Sequence, residues 1–316
     1  MSKSKLRKEF KKYKAKIFSP NFVLIVLLMI AVFISGMLAT KVLDLKQNQD
    51  IKNQEVYSQK QQEIALQKLQ DKVIKEKYVF KIKWGDLGKK MVEDGVLDKT
   101  KLANAVTGKD ELPKDLDKYF SEGQNKIELT QANSQFWVDV LWGLGLANKN
   151  EILEKGEMVE GNQTANFAST GGWTIGVKQP MDIYSKYQYI TLSEKQQKIV
   201  EEIANNIYRP CCGNSTAFPD CNHGMAMLGL IELMVSQNFS KEEIYKTALA
   251  FNSYWFPETY LNIAYHFDKV GRDYGEISAK ELLSKTFSSA MGYAVIAKEA
   301  EGVQWPALQG GGSCGA

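Results

Sequence analysis

The sequence predicts a mainly α-helical protein: one N-terminal transmembrane helix, a helical stalk, and a multi-helix extracytoplasmic domain with little β structure. Three observations predict it. An uncharged run from Ile17 to Thr40 follows a basic tail, the stretch from Lys41 to Lys77 contains neither Pro nor Gly, and the remainder shows mostly helical apolar patterns with capping residues at several starts. The expected order is a cytoplasmic basic tail at 1–16, a transmembrane helix at 17–40, a stalk at 41–77, the extracytoplasmic domain at 78–308 and a glycine-rich tail at 309–316.

The tail carries Lys3, Lys5, Arg7, Lys8, Lys11, Lys12, Lys14 and Lys16. A helix crosses a bilayer with roughly 20 apolar residues, and a Lys/Arg excess before the run keeps that end in the cytoplasm. A cleaved signal peptide is the competing reading, but its apolar region is about 7–15 residues long and ends in a small-x-small site. Met37 and Leu38 break such a site near Ala39, and no cysteine follows the run to accept a lipid. Much of the net charge of +3 belongs to this tail, which leaves the outer region near neutral or slightly acidic. Nucleic acid is therefore not an expected partner. Anionic lipid accounts for the basic segment, at about 1 kcal/mol per Lys or Arg.

In the stalk, Val42, Leu45, Val56, Leu66 and Val73 fit an a/d spacing, but Gln49, Lys52, Gln59 and Glu63 fill the other seam positions. A single solvated helix or a weak dimer is expected. The outer domain opens with a short strand at Tyr78–Ile82. Helices are expected near 86–94, 98–106, 114–121, 131–146, 193–207, 223–237, 241–251, 257–268 and 278–299. Thr130 precedes one of them, while Ser193 with Gln196 and Ser240 with Glu243 have capping-box spacing; Asn238 marks a stop. The segment Gly156–Gly176 reads as a structural or rim loop, and it has neither a P-loop lysine nor the G-x-G-x-x-G spacing of a phosphate-binding turn. No repeat and no composition shift divides residues 78–316.

Chemistry is concentrated in Tyr208–Met227, which holds three of the four cysteines and one of the two histidines. Cys211, Cys212, Cys221 and His223 offer three thiolates and an imidazole, a set suited to a soft or borderline metal: Cu, Zn or an iron–sulfur cluster. A second reading is thiol–disulfide exchange. A helix opening near Asn222 or His223 would place Cys221 at its positive end, and Arg209 adds charge near Cys211 and Cys212. A third reading is a structural Cys212–Cys221 disulfide contributing roughly 2–3 kcal/mol, with His223 as a cap or hydrogen-bond partner. Cys314, in the glycine-rich tail, could complete a metal site, resolve a mixed disulfide or pair with a loop cysteine.

Other residues read as structural. Met225 and Met227 lie in a buried helical pattern, Trp137 and Trp142 share an apolar helix, and His266 is a satisfied helix residue. No G-x-S-x-G or H-E-x-x-H signature points to a hydrolase.

The stretch Ile207-Tyr208-Arg209-Pro210-Cys211-Cys212-Gly213-Asn214-Ser215 through Asp220-Cys221-Asn222, followed by a helix, a turn at Asn238, Ser240-Lys241-Glu242-Glu243-Ile244 and a second helix, resembles the CcmH-type cytochrome c maturation thiol-oxidoreductases. The likeness covers about residues 193–268. Those proteins are membrane-anchored and carry an L-R-C-x-x-C motif in a three-helix bundle, whereas here the cysteines are adjacent and Cys221 and His223 are added. The resemblance implies a redox-active pair, carried here by Cys211 and Cys212. The expected function is metal or heme handling, or thiol–disulfide exchange with a thiol-bearing or metal-carrying protein partner. Any enzyme activity would be that of a thiol–disulfide oxidoreductase. The alternative is a non-enzymatic envelope scaffold with structural disulfides.

Overall fold

The computed structural model describes residues 3–17, 20–121 and 123–306. The chain divides into two compact units, Met1–Ile64 and Ala65–Ala316. The first holds helix α1 (Lys3–Ile17) and most of helix α2 (Pro20–Val73). Proline at the first helical position starts α2 with its φ already set, and no residue after it breaks the helix, so the expected span and stalk form one element of 54 residues. Its N-terminal part is long and apolar enough to cross a membrane, and that window has no buried residue. Val42, Leu45 and Val56 of the expected seam are also exposed, whereas Leu66 and Val73 are buried. The last turns of α2 thus belong to the packed second unit.

The second unit is mainly α. Among the described residues one ribbon pairs β1 (Tyr78–Phe80) antiparallel to β2 (Ile127–Leu129), with Tyr78 opposite Leu129 and Phe80 opposite Ile127. The longer helices are α3 (Leu87–Glu93), α4 (Lys99–Thr107), α5 (Ser134–Ala147), α6 (Glu194–Asn206), α7 (Asn222–Ser236), α8 (Lys241–Trp255), α9 (Pro257–Lys269) and α10 (Ala290–Glu299). Both capping boxes form: Ser193 and Gln196 start α6, and Ser240 and Glu243 start α8. Asn238 takes a left-handed φ of 61° just after α7, the conformation Asn tolerates best after Gly.

Two expectations change. The helix expected at 278–299 is three pieces, Ala279–Leu282, Lys285–Ser288 and α10, because Ser284 and Ser289 adopt extended backbone. Ser289 then caps α10 by accepting from the Gly292 amide at 3.1 Å. The glycine-rich segment is short helical turns rather than a rim: Ser169 and Thr170 are buried, and the Ser169 carbonyl accepts from the Trp142 indole at 2.7 Å.

Helices α5 and α7 form the centre and are buried over almost their whole circumference, the pattern of a core helix rather than a surface one. They meet at Gly145 and Gly229. A Cβ on Gly145 would lie 2.1 Å from the Met225 carbonyl oxygen, and one on Gly229 would lie 2.7 Å from the Leu141 oxygen. Helices α6 and α8 also pack on α7, and the segment joining α6 to α7 carries the cysteines.

Candidate metal and thiol site

The Ile207–Cys221 segment is fixed by backbone hydrogen bonds at several points. Tyr208 pairs with Ser215 in an antiparallel bridge, the Thr216 amide donates to the Ile207 carbonyl at 2.8 Å, and the Tyr208 amide donates to Leu283 at 2.9 Å. The Ala290 amide, at the start of α10, donates to the Cys212 carbonyl at 3.0 Å. These contacts bring the Sγ atoms of Cys211, Cys212 and Cys221 within 4.8 Å of one another. The sulfurs of Cys211 and Cys221 are 3.5 Å apart.

Cys221 is the N-cap of α7, and its sulfur accepts from the Gly224 amide at 3.4 Å. The expected position at the positive end of a helix is therefore realised. Arg209 reaches the same sulfur, Nε donating at 3.0 Å. Its guanidinium is fully buried and also donates to the carbonyls of Asn214 (3.3 Å) and Phe218 (3.1 Å), and to Asp220 Oδ1 at 2.7 Å. Asp220 Oδ2 accepts from Asn214 Nδ2 at 2.9 Å, which closes the network. Gly224 makes room for it: a Cβ there would lie 2.5 Å from Arg209 Cζ.

Hydrogen bonds from Cys211 and Cys212, followed by the charge and hydrogen bond of Arg209, hold the Cys221 thiol well below its usual pKa against the cost of burial. Hydrogen bonds to Cys212 and Cys221, then burial, push Cys211 up. For Cys212 the bond to Cys211 lowers the pKa, but the bond to Cys221 and burial outweigh it and raise it to about 11. The cluster thus has its most acidic thiol at Cys221, with Cys211 and Cys212 holding their protons to higher pH. It can bind a thiophilic cation as its thiols deprotonate, or pass between dithiol and disulfide. Cys211 is the exposed member.

His223 stands apart from this sulfur group. Its ring packs against Phe256 and Trp255, with centroids at 4.5 and 5.6 Å, and Nδ1 is 2.8 Å from Asn222 Oδ1. Burial lowers its pKa to about 4. Cys314 lies outside the described residues. His266 is satisfied by Glu299 Oε2 at 2.7 Å.

No known protein family, curated protein or solved structure matches this chain. Three features of the site escape sequence reasoning: the Arg209–Asp220 pair, the need for Gly224, and the direction in which Arg209 points. An arginine two residues before Cys211 and an aspartate next to Cys221 are the only available signal. A buried acid at Glu232, its pKa raised well above normal by burial, was equally invisible. It accepts from Asn148 at 2.9 Å inside the core.

Proposed function

We propose that this is a membrane-anchored protein with its larger unit outside the cytoplasm, and that Cys211, Cys212 and Cys221 hold a soft or borderline metal ion. The observation that carries the reading is the convergence of three sulfurs beside a buried guanidinium. Ligand sulfurs about 2.3 Å from one Zn lie roughly 3.8 Å apart, a spacing the cluster can reach with small side-chain shifts. The positive charge of Arg209 offsets part of the negative charge of a trithiolate, and the Gly224 amide supports Cys221 from behind. The bound ion would act as cargo or as a Lewis acid.

Cys314 is the proposed fourth ligand. Trp305 Nε1 donates to Asn262 Oδ1 at 2.8 Å, and Asn262 Nδ2 donates to the Tyr293 hydroxyl at 2.9 Å. Tyr293 lies one turn beyond Ala290, whose amide holds Cys212. Trp305 is thereby tied to the helix whose first residue bonds Cys212, and the eight residues after Pro306 through Cys314 can span up to about 27 Å.

Thiol–disulfide exchange is the second reading, favoured by the 3.5 Å Cys211–Cys221 contact. A partner thiolate would attack the exposed Cys211 sulfur of a Cys211–Cys221 disulfide and expel Cys221 as its stabilised thiolate. A second partner thiolate would then attack the partner's sulfur in the mixed bond and release Cys211. The partner gains a disulfide, and this protein gains two electrons.

Intact mass of the full chain, purified in detergent without reductant, separates the readings. A metal adduct present under native and absent under denaturing conditions supports metal binding. A loss of about 2 Da per disulfide, reversed by mild reductant, supports exchange. Fully paired cysteines that resist reduction, with no metal uptake after forced reduction, would favour the scaffold alternative and defeat both.

A further inference from the structure

We propose that α1 is a second membrane-binding element, an amphipathic helix that lies on an anionic bilayer surface rather than a solvated tail. The inference is independent of the cysteine chemistry. Leu6, Phe10 and Tyr13 stand at i, i+4 and i+7, which puts them on one face of the helix. They are 51 %, 70 % and 72 % exposed, so no described residue covers that face. Around them the helix carries eight Lys and Arg and one acidic residue, Glu9.

This charge density forbids α1 from crossing the hydrocarbon core. Its apolar stripe is also too narrow to pack inside a protein core, being three side chains long and about one wide. The environment that satisfies both halves is the headgroup boundary of an anionic leaflet. There the three apolar side chains enter the acyl region, while the lysines extend along them to reach phosphates. Continuity supports the same occupant: α2 begins with Pro20 only a few residues on, and its apolar portion is the candidate span. A basic cluster next to a span already sits within reach of lipid phosphate, and the apolar stripe turns a diffuse attraction into a fixed position.

The test uses the full chain in nanodiscs of phosphatidylcholine alone and of phosphatidylcholine with phosphatidylglycerol. Amide hydrogen exchange over residues 3–17 is followed, together with fluorescence of a Phe10→Trp variant. In anionic discs, exchange is expected to slow by about tenfold or more relative to neutral discs, and brominated acyl chains should quench the fluorescence. The double substitution Leu6→Glu and Phe10→Glu should abolish the protection while the span stays inserted. Equal exchange in the two lipids, absence of quenching, or protection that survives the double substitution would overturn the proposal. Protection induced only by an added acidic protein or nucleic acid would assign the face to that partner instead and overturn it as well.

Discussion

Arg209 and Cys221 form a buried guanidinium–sulfur pair, Nε to Sγ at 3.0 Å, with Asp220 balancing the charge on the far side of the arginine. One side chain thereby braces the loop and, after the hydrogen bonds from Cys211 and Cys212, adds to the lowering of the Cys221 pKa. Arg209→Met is expected to raise the pH of half-alkylation of Cys221 by about 1–2 units, the loss of a charge-assisted hydrogen bond of roughly 1.5–3 kcal/mol. Peptide-resolved iodoacetamide labelling across pH checks this. An unchanged midpoint in a folded variant would remove Arg209 from the thiol chemistry.

Metal uptake should release protons in a specific number. In the Cys314→Ser variant, with Cys221 entering as a thiolate and Cys211 and Cys212 as thiols, loading is expected to release two, so log affinity for Zn(II) should rise with pH with a slope near 2, and the Cys314 thiol adds one more in the intact chain. Competition titrations against a chelator in the neutral range measure it. A slope near 3 in the Cys314→Ser variant would mean that Cys221 starts as a thiol.

Cys314→Ser is expected to weaken Zn(II) binding by about tenfold or more without abolishing it, since the tail thiol acts as a tethered ligand at high effective concentration. Cys211→Ser should abolish binding. If zinc protects the three loop cysteines from alkylation and leaves Cys314 reacting at its unbound rate, the tail is not a ligand.

His223 gives a pH prediction. Burial depresses its folded pKa to about 4 from 6.5. Between those values the unfolded chain binds a proton that the native protein excludes, so stability is full above pH 6.5 and falls as pH drops toward 4. His223→Gln should flatten that limb in urea-unfolding midpoints. It should leave metal affinity nearly unchanged, since the imidazole stands apart from the sulfurs.

Gly145→Ala or Gly229→Ala drives a methyl into the backbone of the facing helix. The expected cost is about 1–3 kcal/mol, or roughly 3–10 °C in Tm for a domain of this size. Thermal unfolding by circular dichroism reads it directly. Gly108→Ala, which meets no atom within 4 Å but has a φ of 68°, is the control that separates backbone strain from helix crossing.

The local signals were legible because capping is a matter of a few adjacent residues. Ser193 with Gln196, Ser240 with Glu243, and Asn238 each act within one turn of chain, and each occurs where its spacing indicates. The apolar run into α2 was equally plain. The break at Ser284 and Ser289 was not, because a serine that caps one helix and a serine inside another have the same identity, and packing decides between them. The cysteines announced the site, yet nothing local could aim Arg209 at Cys221 rather than at Cys211 and Cys212. That direction depends on a loop folding across the start of α7, and on Gly224 leaving space for it.

The three sulfurs are mounted on unequal supports. Cys221 is the N-cap of α7, one of the two central helices of the unit, while Cys211 and Cys212 ride on a loop held by a few backbone hydrogen bonds. The cluster is thus a clasp with one fixed jaw and one yielding jaw. On the metal reading, the loop side of the grip is the one that substitutions can loosen, and breaking the Ala290–Cys212 bond is expected to speed release of the ion more than it lowers the stability of the fold.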